Sequence, residues 1–282
     1  MKSDGPLITV VVAVYNGGKT LKQCLDSIVS QTYGSIQLIV IDGGSTDDSV
    51  GIIRGMSEEF YYWTSESDKG IYNAWNKGLA KATGDWVCFI GADDYFVNAN
   101  ALANMAQALA QVPLAVNVAY GKIVLLGHED EVLYEYGEPW ERVAAKFKKT
   151  MCLPHPGLMH RRTAFLQHGE FDESFKIAAD YDMLLRILQD GVAQFIPNLT
   201  VVAMRQGGVS SNPANTFLAL SEVRSAQYKS GFIFPSMTWM LSWFRALLRL
   251  AMFRLLGERN ARRILDWGRH MMGLPPYWTK IK

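Results

Sequence analysis

Two adjacent carboxylates, Asp93 and Asp94, follow a short apolar stretch (residues 86–90) through a small-residue corner. In an open α/β sheet, ligands bind beyond the carboxyl ends of the strands, so both acids would stand at a ligand site. Neighbouring carboxylates repel each other unless a cation joins them, and Mn²⁺ or Mg²⁺, shared with substrate phosphates, suits such a pair. The alternative is that one of the acids caps the next helix, around residues 98–111. The pair therefore predicts a divalent-cation site.

Asp42 stands at the end of a second apolar stretch and is followed by Gly43 and Gly44. A carboxylate at a strand tip can accept hydrogen bonds from a base N–H or a ribose hydroxyl. The glycines would let such a ligand come close to the backbone. The alternative is a turn closed by an Asx-type hydrogen bond.

Two further segments carry acids. Asp68 precedes a helix on which Asn73, Asn76 and Lys77 share its polar side, although Asp68 could also simply cap that helix. Asp180 begins an amphipathic helix, where the helix dipole stabilises an acid, so a capping role is again the alternative. A carboxylate within reach of a substrate hydroxyl could instead act as a general base.

The elements that would position these acids alternate between strand and helix. Apolar, β-branched runs predict strands buried on both faces, and a 3.6-residue period predicts helices between them. The expected order is a strand at 7–14, a helix within 19–31, a strand at 36–41, a strand at 60–64, a helix at 71–82 and a strand at 86–90. This order predicts a doubly wound, mostly parallel sheet. An antiparallel pair at 116–136, a helix near 180–190 and short strands up to Met204 should follow.

Several protein classes are disfavoured. The chain has 282 residues and a net charge of +1, which gives no argument for a nucleic-acid partner. Residues 13–20 fit a relaxed phosphate-loop pattern, but only residues 16–18 are loop-like, which is too short to cradle phosphates. No Gly-x-Gly-x-x-Gly follows the first strand, which argues against a dinucleotide oxidoreductase. Three cysteines without metal-ligand spacing are typical of a reduced compartment, so we expect a cytoplasmic protein.

Four ordered motifs resemble those of family 2 glycosyltransferases with the GT-A fold. They are Val-Val-Ala-Val-Tyr-Asn-Gly at 11–17, Val-Ile-Asp-Gly-Gly-Ser-Thr-Asp at 40–47, Asp-Lys-Gly-Ile-Tyr-Asn at 68–73 and Gly-Ala-Asp-Asp at 91–94. The similarity covers about residues 7–210. It implies a catalytic domain over 1–230, with a nucleotide-binding half (1–112) and an acceptor half (113–230), followed by helices over 231–282.

The resemblance also implies roles for individual residues. Asp42 would contact the nucleotide base, Asp180 would be the catalytic base, and Asp93 with Asp94 would bind the cation, although Gly91 stands where the family has a further acid. His155 could touch the metal or the diphosphate, or merely hydrogen-bond a loop. The implied nucleotide-binding set is Val14, Tyr15, Asn16, Asp42, Asp68, Lys77 and Asp93. The glycine-hinged loop of Arg205, Gly207, Gly208 and Ser210 would close over the donor, with a plain surface turn as the alternative.

The last segment differs from the rest. Residues 237–282 hold nine Lys or Arg against two acids, and residues 239–256 are apolar around most of a helix. A wide apolar face with interspersed Arg is typical of a helix in a membrane interface, and the cations would favour anionic lipid. The alternative is a helix packed on the body or on a second subunit in a homodimer.

Together these observations predict a metal-dependent, inverting glycosyltransferase. It would move a sugar from a nucleotide diphosphate donor, expected to be UDP-linked, to a saccharide or polyprenyl-linked acceptor in surface polysaccharide or lipopolysaccharide synthesis. We expect it at the inner face of the cytoplasmic membrane. A catalytically silent nucleotide-sugar-binding protein is the alternative.

Overall fold

A computed structural model describes residues 5–127, 130–208, 212–273 and 278–279. Within them, a sheet of nine strands carries helices on both faces. The strands are β1 (Ile8–Val14), β2 (Ile36–Asp42), β3 (Tyr62–Ser65), β4 (Trp86–Gly91), β5 (Tyr95–Phe96), β6 (Val118–Leu126), β7 (Val132–Tyr136), β8 (Met159–Arg161) and β9 (Ala193–Arg205). The α-helices are α1 (Leu21–Val29), α2 (Ser49–Gly55), α3 (Ile71–Leu79), α4 (Ala101–Leu109), α5 (Trp140–Phe147), α6 (Arg162–His168), α7 (Ala179–Leu188), α8 (Thr216–Lys229) and α9 (Met237–Met271).

The strand order is β3-β2-β1-β4-β8-β6-β9-β5, and β7 pairs with β6. β3, β2, β1 and β4 run parallel, whereas β8 is antiparallel to both β4 and β6. β5, from the first part of the chain, pairs with β9, from the second, so one continuous sheet joins them. The predicted α/β architecture with a mostly parallel sheet and a small antiparallel section is confirmed.

Alternate residues of the central strands supply two cores. Val10 and Val12 of β1 face the helices α1 and α4, whereas Val11 and Ala13 face α3 and α7. All seven residues of β1 are buried, as expected of a parallel strand covered on both faces. The helix face of α3 comes so close to this strand that a Cβ on Gly78 would collide with the side chain of Val11.

Some sequence-based boundaries were wrong. β3 begins at Tyr62 because residues 57–59 form a 3₁₀ turn, and residues 193–205 form one strand of 13 residues rather than several short ones. α4 begins at Ala101, with β5 between it and Asp94, so neither carboxylate of the pair caps this helix. The antiparallel pair β6–β7 is confirmed, and its connection at residues 128 and 129 lies outside the described residues.

The long helix α9 is interrupted at Gly257, whose φ of 73° is outside the helical region. A residue with a Cβ would be strained in that conformation, so glycine sets the position of the kink. Among the described residues, no helix combines the length and the apolar composition that crossing a membrane would require.

Candidate active site

A cleft of about 1360 Å³ opens at the carboxyl ends of the parallel strands. It brings together residues that are far apart in the chain, and its lining includes Val14, Tyr15, Asn16, Asp68, Asp93, Asp94, His155, Asp180, Arg205 and Gly208. This is the position at which open α/β sheets bind ligands. Most of the residues predicted for the site therefore share one cavity.

The loop after β1 is bonded to the loop after β2. The backbone N–H of Asn16 donates to Ser45 Oγ at 2.8 Å, and Asn16 Oδ1 accepts from the N–H of Thr46 at 2.8 Å. The N–H of Gly18 donates to Asp47 Oδ2, also at 2.8 Å. These bonds leave the Tyr15 side chain 66% exposed at the cleft. An exposed ring on a rigid loop can stack on a flat ligand.

Asp42 is placed differently from what its motif predicts. Its carboxylate is fully buried and accepts hydrogen bonds from the hydroxyls of Ser45 and Ser65 and from the N–H groups of Gly44 and Ser45. Asp42 is absent from the described lining of the cleft. This geometry is the Asx-type turn that was the alternative interpretation of the motif. Gly43 lines the cleft, and the Asp42 carboxylate does not.

Asp68, which is half-buried, lines the cleft instead. Its carboxylate lies directly over Gly43, where any Cβ would collide with Asp68 Oδ2. Asp68 Oδ1 accepts from the N–H of Gly70 at 2.8 Å, which fixes the turn into α3. The glycine after Asp42 therefore makes room for a carboxylate of the protein itself.

Lys77 is predicted to contact the nucleotide, but its side chain bonds to Glu66 and Ser67. Its ammonium group lies 2.9 Å from Glu66 Oε1 and donates to the carbonyl of Ser67 at 3.3 Å. Lys77 is not among the described residues that line the cleft. Its charge secures the segment that carries Asp68.

The Asp93–Asp94 pair is held at the end of β4 by Arg205. The Arg205 guanidinium donates to the carbonyl of Asp93 at 2.9 Å, and its backbone N–H donates to Asp94 Oδ1 at 3.2 Å. Arg205 also pairs with Asp130 at 2.7 Å and donates to Gln23 at 2.6 Å. Arg205, at the end of β9, is thus held by several bonds and fixes the position of the Asp93–Asp94 segment. Gly207 and Gly208 follow it with Gly207 at φ 123°, and Ser210 lies outside the described residues.

The two carboxylates suit a divalent cation. A Cβ placed on Gly91 would meet Asp93 Oδ1 at 2.7 Å and Asp94 Oδ2 at 3.3 Å, so both oxygens gather over the space left by this glycine. Burial, followed by the nearby charge of Asp93, raises the pKa of Asp94 well above its usual value. The described residues contain no cluster of three or more metal-ligating side chains. Mg²⁺-type ions often bind one or two carboxylates and complete their shell with substrate phosphates, so the donor set is sufficient.

His155 belongs to a buried aromatic cluster. Its ring stacks on Trp75 with centroids 5.0 Å apart, and its Nε2 lies 3.4 Å from His160 Nε2. Burial lowers the pKa of His155 to about 3 and also lowers that of His160, so both rings are neutral. The described contacts of the His155 ring are therefore those of packing, and its Nε2 faces a residue of β8 rather than a loop.

Asp180 lies in the first turn of α7 and faces the cleft. Its Oδ1 accepts from the N–H of Tyr181 at 2.8 Å and from the Tyr72 hydroxyl at 3.4 Å. Burial raises the pKa of Asp180 to about 6, which suits a group that must take up a proton near neutral pH. The other nearby acid, Asp182, is buried and paired with Arg186 at 3.0 Å.

Sequence reasoning missed the partners that organise the site. Arg205 was predicted only as a loop residue, and Tyr72 and Glu222 were not predicted. Asn76 Nδ2 donates to the carbonyl of Phe171 and to Glu173 Oε1, so the polar side of α3 bonds a neighbouring loop rather than a ligand. The sequence held one signal for this role of Asn76, which is that the residue shares a face of α3 with the buried aromatic Tyr72.

Comparison with known proteins identifies the family of the chain. The family model described as glycosyl transferase family 2 matches residues 9–165. A PGL/p-HBAD biosynthesis glycosyltransferase of Mycobacterium bovis is 29% identical over 184 residues, covering 64% of this chain and 69% of the relative. An uncharacterized glycosyltransferase of Mycobacterium tuberculosis is 32% identical over 187 residues, covering 65% of this chain and 70% of the relative.

Solved structures share the fold. S. aureus TarS in complex with UDP-GlcNAc has a TM-score of 0.61 at 17% identity; the match covers 78% of this chain and 66% of that one. The mannosyltransferase PcManGT from Pyrobaculum calidifontis, in complex with GDP-Man and Mn²⁺, has a TM-score of 0.65 at 18% identity and covers 98% of this chain and 83% of that one. The matched model spans more than half of the chain and includes the strand tips that carry Asp68, Asp93 and Asp94, and the protein is therefore a glycosyltransferase of family 2 with the GT-A fold.

Proposed function

We propose that this enzyme transfers one sugar, with inversion, from a UDP-linked donor to a hydroxyl of a membrane-borne saccharide or polyprenyl-linked acceptor. The observation that carries the proposal is the single cleft that holds both the Asp93–Asp94 pair and Asp180, whose raised pKa suits a base. Two solved neighbours hold nucleotide sugars, UDP-GlcNAc and GDP-Man. A curated relative is named for the synthesis of PGL and p-HBAD.

The nucleotide would bind between the loops that follow β1 and β2. The exposed ring of Tyr15 would lie against the base, with Val14 and Asn16 shaping the loop and Asp68 accepting hydrogen bonds from the nucleoside. Asp42 would act through the turn that it holds, because its carboxylate oxygens already accept bonds from two hydroxyls and two N–H groups. Lys77 would support Asp68 through Glu66.

Asp93 and Asp94 would hold a divalent cation together with the donor diphosphate. Such an ion, Mn²⁺ or Mg²⁺, offsets the negative charge that develops on the leaving diphosphate. Arg205 keeps the two carboxylates at the strand tip through its bonds to the Asp93 carbonyl and to Asp94 Oδ1. His155 would form part of the floor of the cleft.

The chemical step would be one in-line displacement. The acceptor oxygen forms a bond to the anomeric carbon while the bond from that carbon to the diphosphate oxygen breaks. The acceptor hydroxyl proton passes to the Asp180 carboxylate, and the nucleoside diphosphate leaves. Tyr72 would orient the carboxylate, since its hydroxyl donates to the same Oδ1.

The cleft reaches the C-terminal helix α8, which contacts α9. Ala219 and Val223 of α8 line the cleft, and Trp239 of α9 donates its indole N–H to the carbonyl of Leu220, between them in the chain, at 2.7 Å. Several of the exposed apolar side chains of α9 recur at spacings of three and four, among them Met237, Met240, Leu241, Phe244, Leu247 and Leu248. A membrane bound to this face would therefore contact a helix that is itself bonded to the cleft-lining helix α8.

Donor binding is tested by thermal unfolding with a panel of nucleotide sugars, with and without Mn²⁺. A donor at about 100 times its Kd adds about 2.7 kcal/mol of stability, which should raise Tm by roughly 5 °C. We expect UDP-sugars to give this rise in the presence of Mn²⁺, and GDP-mannose to give less. The proposed donor class is wrong if GDP-mannose is the better ligand, and a nucleotide-sugar function is wrong if no member of the panel shifts Tm.

Membrane association is tested on vesicles. Phe244→Ser with Leu248→Ser should weaken binding to anionic vesicles without changing transfer to a water-soluble acceptor, because both side chains are exposed, at 62% and 53%. The matched control replaces Leu114 and Leu166, which are 86% and 77% exposed elsewhere, with serine. Deleting residues 237–282 should remove vesicle binding and keep the donor chemistry.

Salt separates the two contributions to that binding. Each Arg of α9 near anionic lipid contributes about 1 kcal/mol, and salt screens this part but not the apolar part. Binding should therefore weaken with salt without vanishing. The membrane role is wrong if the full chain does not bind anionic vesicles at low salt. If the truncated chain then unfolds, or becomes monomeric where the full chain is a dimer, α9 belongs to the protein body or to a subunit interface.

A further inference from the structure

Glu222 is a buried carboxylate near the middle of α8, and none of the sequence motifs includes it. Only 8% of its surface is exposed. Its Oε1 accepts from the N–H of Lys176 at 2.8 Å, and its Oε2 accepts from Ile177 at 2.8 Å and Ala178 at 3.0 Å. A single side chain therefore bonds three consecutive backbone N–H groups.

These three residues lead directly into the helix that carries Asp180. Ala178 is the N-cap residue of α7, with φ −120° and ψ 21°, and its own side chain cannot accept a hydrogen bond. The first N–H groups of a helix have no partner within the helix, and a cap residue usually satisfies one of them. Glu222, which belongs to α8, accepts hydrogen bonds from the three backbone N–H groups just before α7. It therefore determines where α7 begins.

Asp180 follows the anchored turn by two residues, and the turn itself lines the cleft. The Asp180 carboxylate also accepts a hydrogen bond from another element, from the Tyr72 hydroxyl of α3 at 3.4 Å. If the turn moved by about 1 Å, the carboxylate would move with it, and displacements of this size can lower turnover by about 10²-fold. The position of Asp180 thus depends on a residue that does not face the substrate.

We propose that Glu222 is a positioning residue for Asp180, which it holds at the acceptor hydroxyl by anchoring residues 176–178. The inference rests on the proposed role of Asp180 as the base. It adds a residue of α8 to the machinery of the reaction and assigns it no contact with donor or acceptor.

The charge of Glu222 also acts on Asp180. Among the described residues, Asp180 accepts hydrogen bonds from the Tyr72 hydroxyl of α3 and the Tyr181 N–H of its own helix, and it interacts electrostatically with Tyr136 of β7 and with Glu222. Burial raises the pKa of both tyrosines, so they stay neutral near pH 7. Burial is the largest cause of the raised pKa of Asp180, and the negative charge of Glu222 adds to it. Activity should fall at low pH as Asp180 becomes protonated, and this fall is the acidic limb of the pH–activity profile. Removing the charge of Glu222 should shift the acidic limb to lower pH.

Two variants separate the anchor from the charge. Glu222→Gln keeps the shape and can still accept bonds from Ile177 and Ala178 through its amide oxygen, whereas Glu222→Ala removes the anchor. We expect Glu222→Ala to lower kcat by about 10- to 100-fold while donor Kd changes less than about twofold. Glu222→Gln should recover most of the turnover, with the midpoint of the acidic limb below that of the unaltered enzyme. Ser221→Ala is the matched control, since its exposed hydroxyl donates within the helix to the carbonyl of Leu218.

The kinetics are normalised to folded protein by thermal unfolding, and Asp180→Asn is measured beside them. The inference is overturned if Glu222→Ala keeps kcat per folded molecule, or if Glu222→Gln leaves the acidic limb in place. It is also overturned if both Glu222 variants weaken donor binding as much as turnover. If Asp180→Asn retains turnover, the proposed base is wrong and the role of Glu222 is wrong with it. If Asp180→Asn loses turnover while both Glu222 variants keep it, only the role of Glu222 is wrong.

Discussion

Asp180→Asn is expected to lower kcat by about 10²- to 10⁴-fold, the range that a positioned general base contributes. The asparagine has the same shape and can keep the bond from the Tyr181 N–H, but it cannot take up the acceptor proton. Donor affinity should hardly change, because the proposed role of Asp180 is toward the acceptor hydroxyl and not toward the donor. Steady-state kinetics and donor titration measure the two effects separately.

The pH dependence gives an independent signature of the same residue. Because the pKa of Asp180 in the free enzyme is raised to about 6, kcat/KM should fall as the pH drops below about 6, where the carboxylate becomes protonated. A folded-state pKa above the unfolded value means that ionised Asp180 destabilises the fold, and this cost is present above pH 6. Asp180→Asn should therefore raise Tm at pH 8 and have little effect on Tm at pH 4.

The control for this variant is Asp190→Asn, an exposed acid just beyond the end of α7, which should change neither turnover nor stability. The assignment of Asp180 is wrong if its Asn variant weakens UDP binding and spares turnover. In that case Asp180 would be a structural cap of α7 and another group would accept the proton.

Asp93→Asn is expected to abolish metal-dependent transfer. A bound cation contributes several kcal/mol of transition-state stabilisation, and each 1.36 kcal/mol is tenfold in rate, so we expect a loss of about 10³-fold or more. The variant should also lose the Mn²⁺-dependent part of its affinity for UDP. Its fold should remain intact, because Arg205 bonds the Asp93 carbonyl and the Asp94 carboxylate and not the Asp93 carboxylate.

The measurements for Asp93→Asn are transfer activity and UDP affinity, each with Mn²⁺ and with EDTA. Thermal unfolding with Mn²⁺ alone gives a readout that does not need turnover. Asp26→Asn is the control, since Asp26 is an exposed acid paired with Lys22 on α1. Full activity in EDTA, or in the Asp93 variant, would show that this enzyme works without a cation at the strand tip.

The sequence by itself determined the central sheet and the place of the site within it. Uninterrupted β-branched runs, such as residues 8–14, can be satisfied only by a strand that is buried on both faces, because each face then meets a helix. Polar residues that follow the parallel strands lie at the carboxyl edge of the sheet, so Asp68, Asp93 and Asp94 were expected in one cleft and are found there. These are consequences of local pattern and of the geometry of parallel strands.

Only the tertiary structure decided what each carboxylate does. Asp42 and Asp68 both follow strand-like segments, yet Asp42 accepts bonds from Ser45 and Ser65 and is buried, while Asp68 lies over Gly43 and faces the cleft. Arg205 reaches Asp93 across 112 positions of the chain, and Glu222 reaches Lys176 across 46. Such partners leave no periodic or local signal, because a hydrogen bond depends on where side chains meet in space and not on their spacing in sequence.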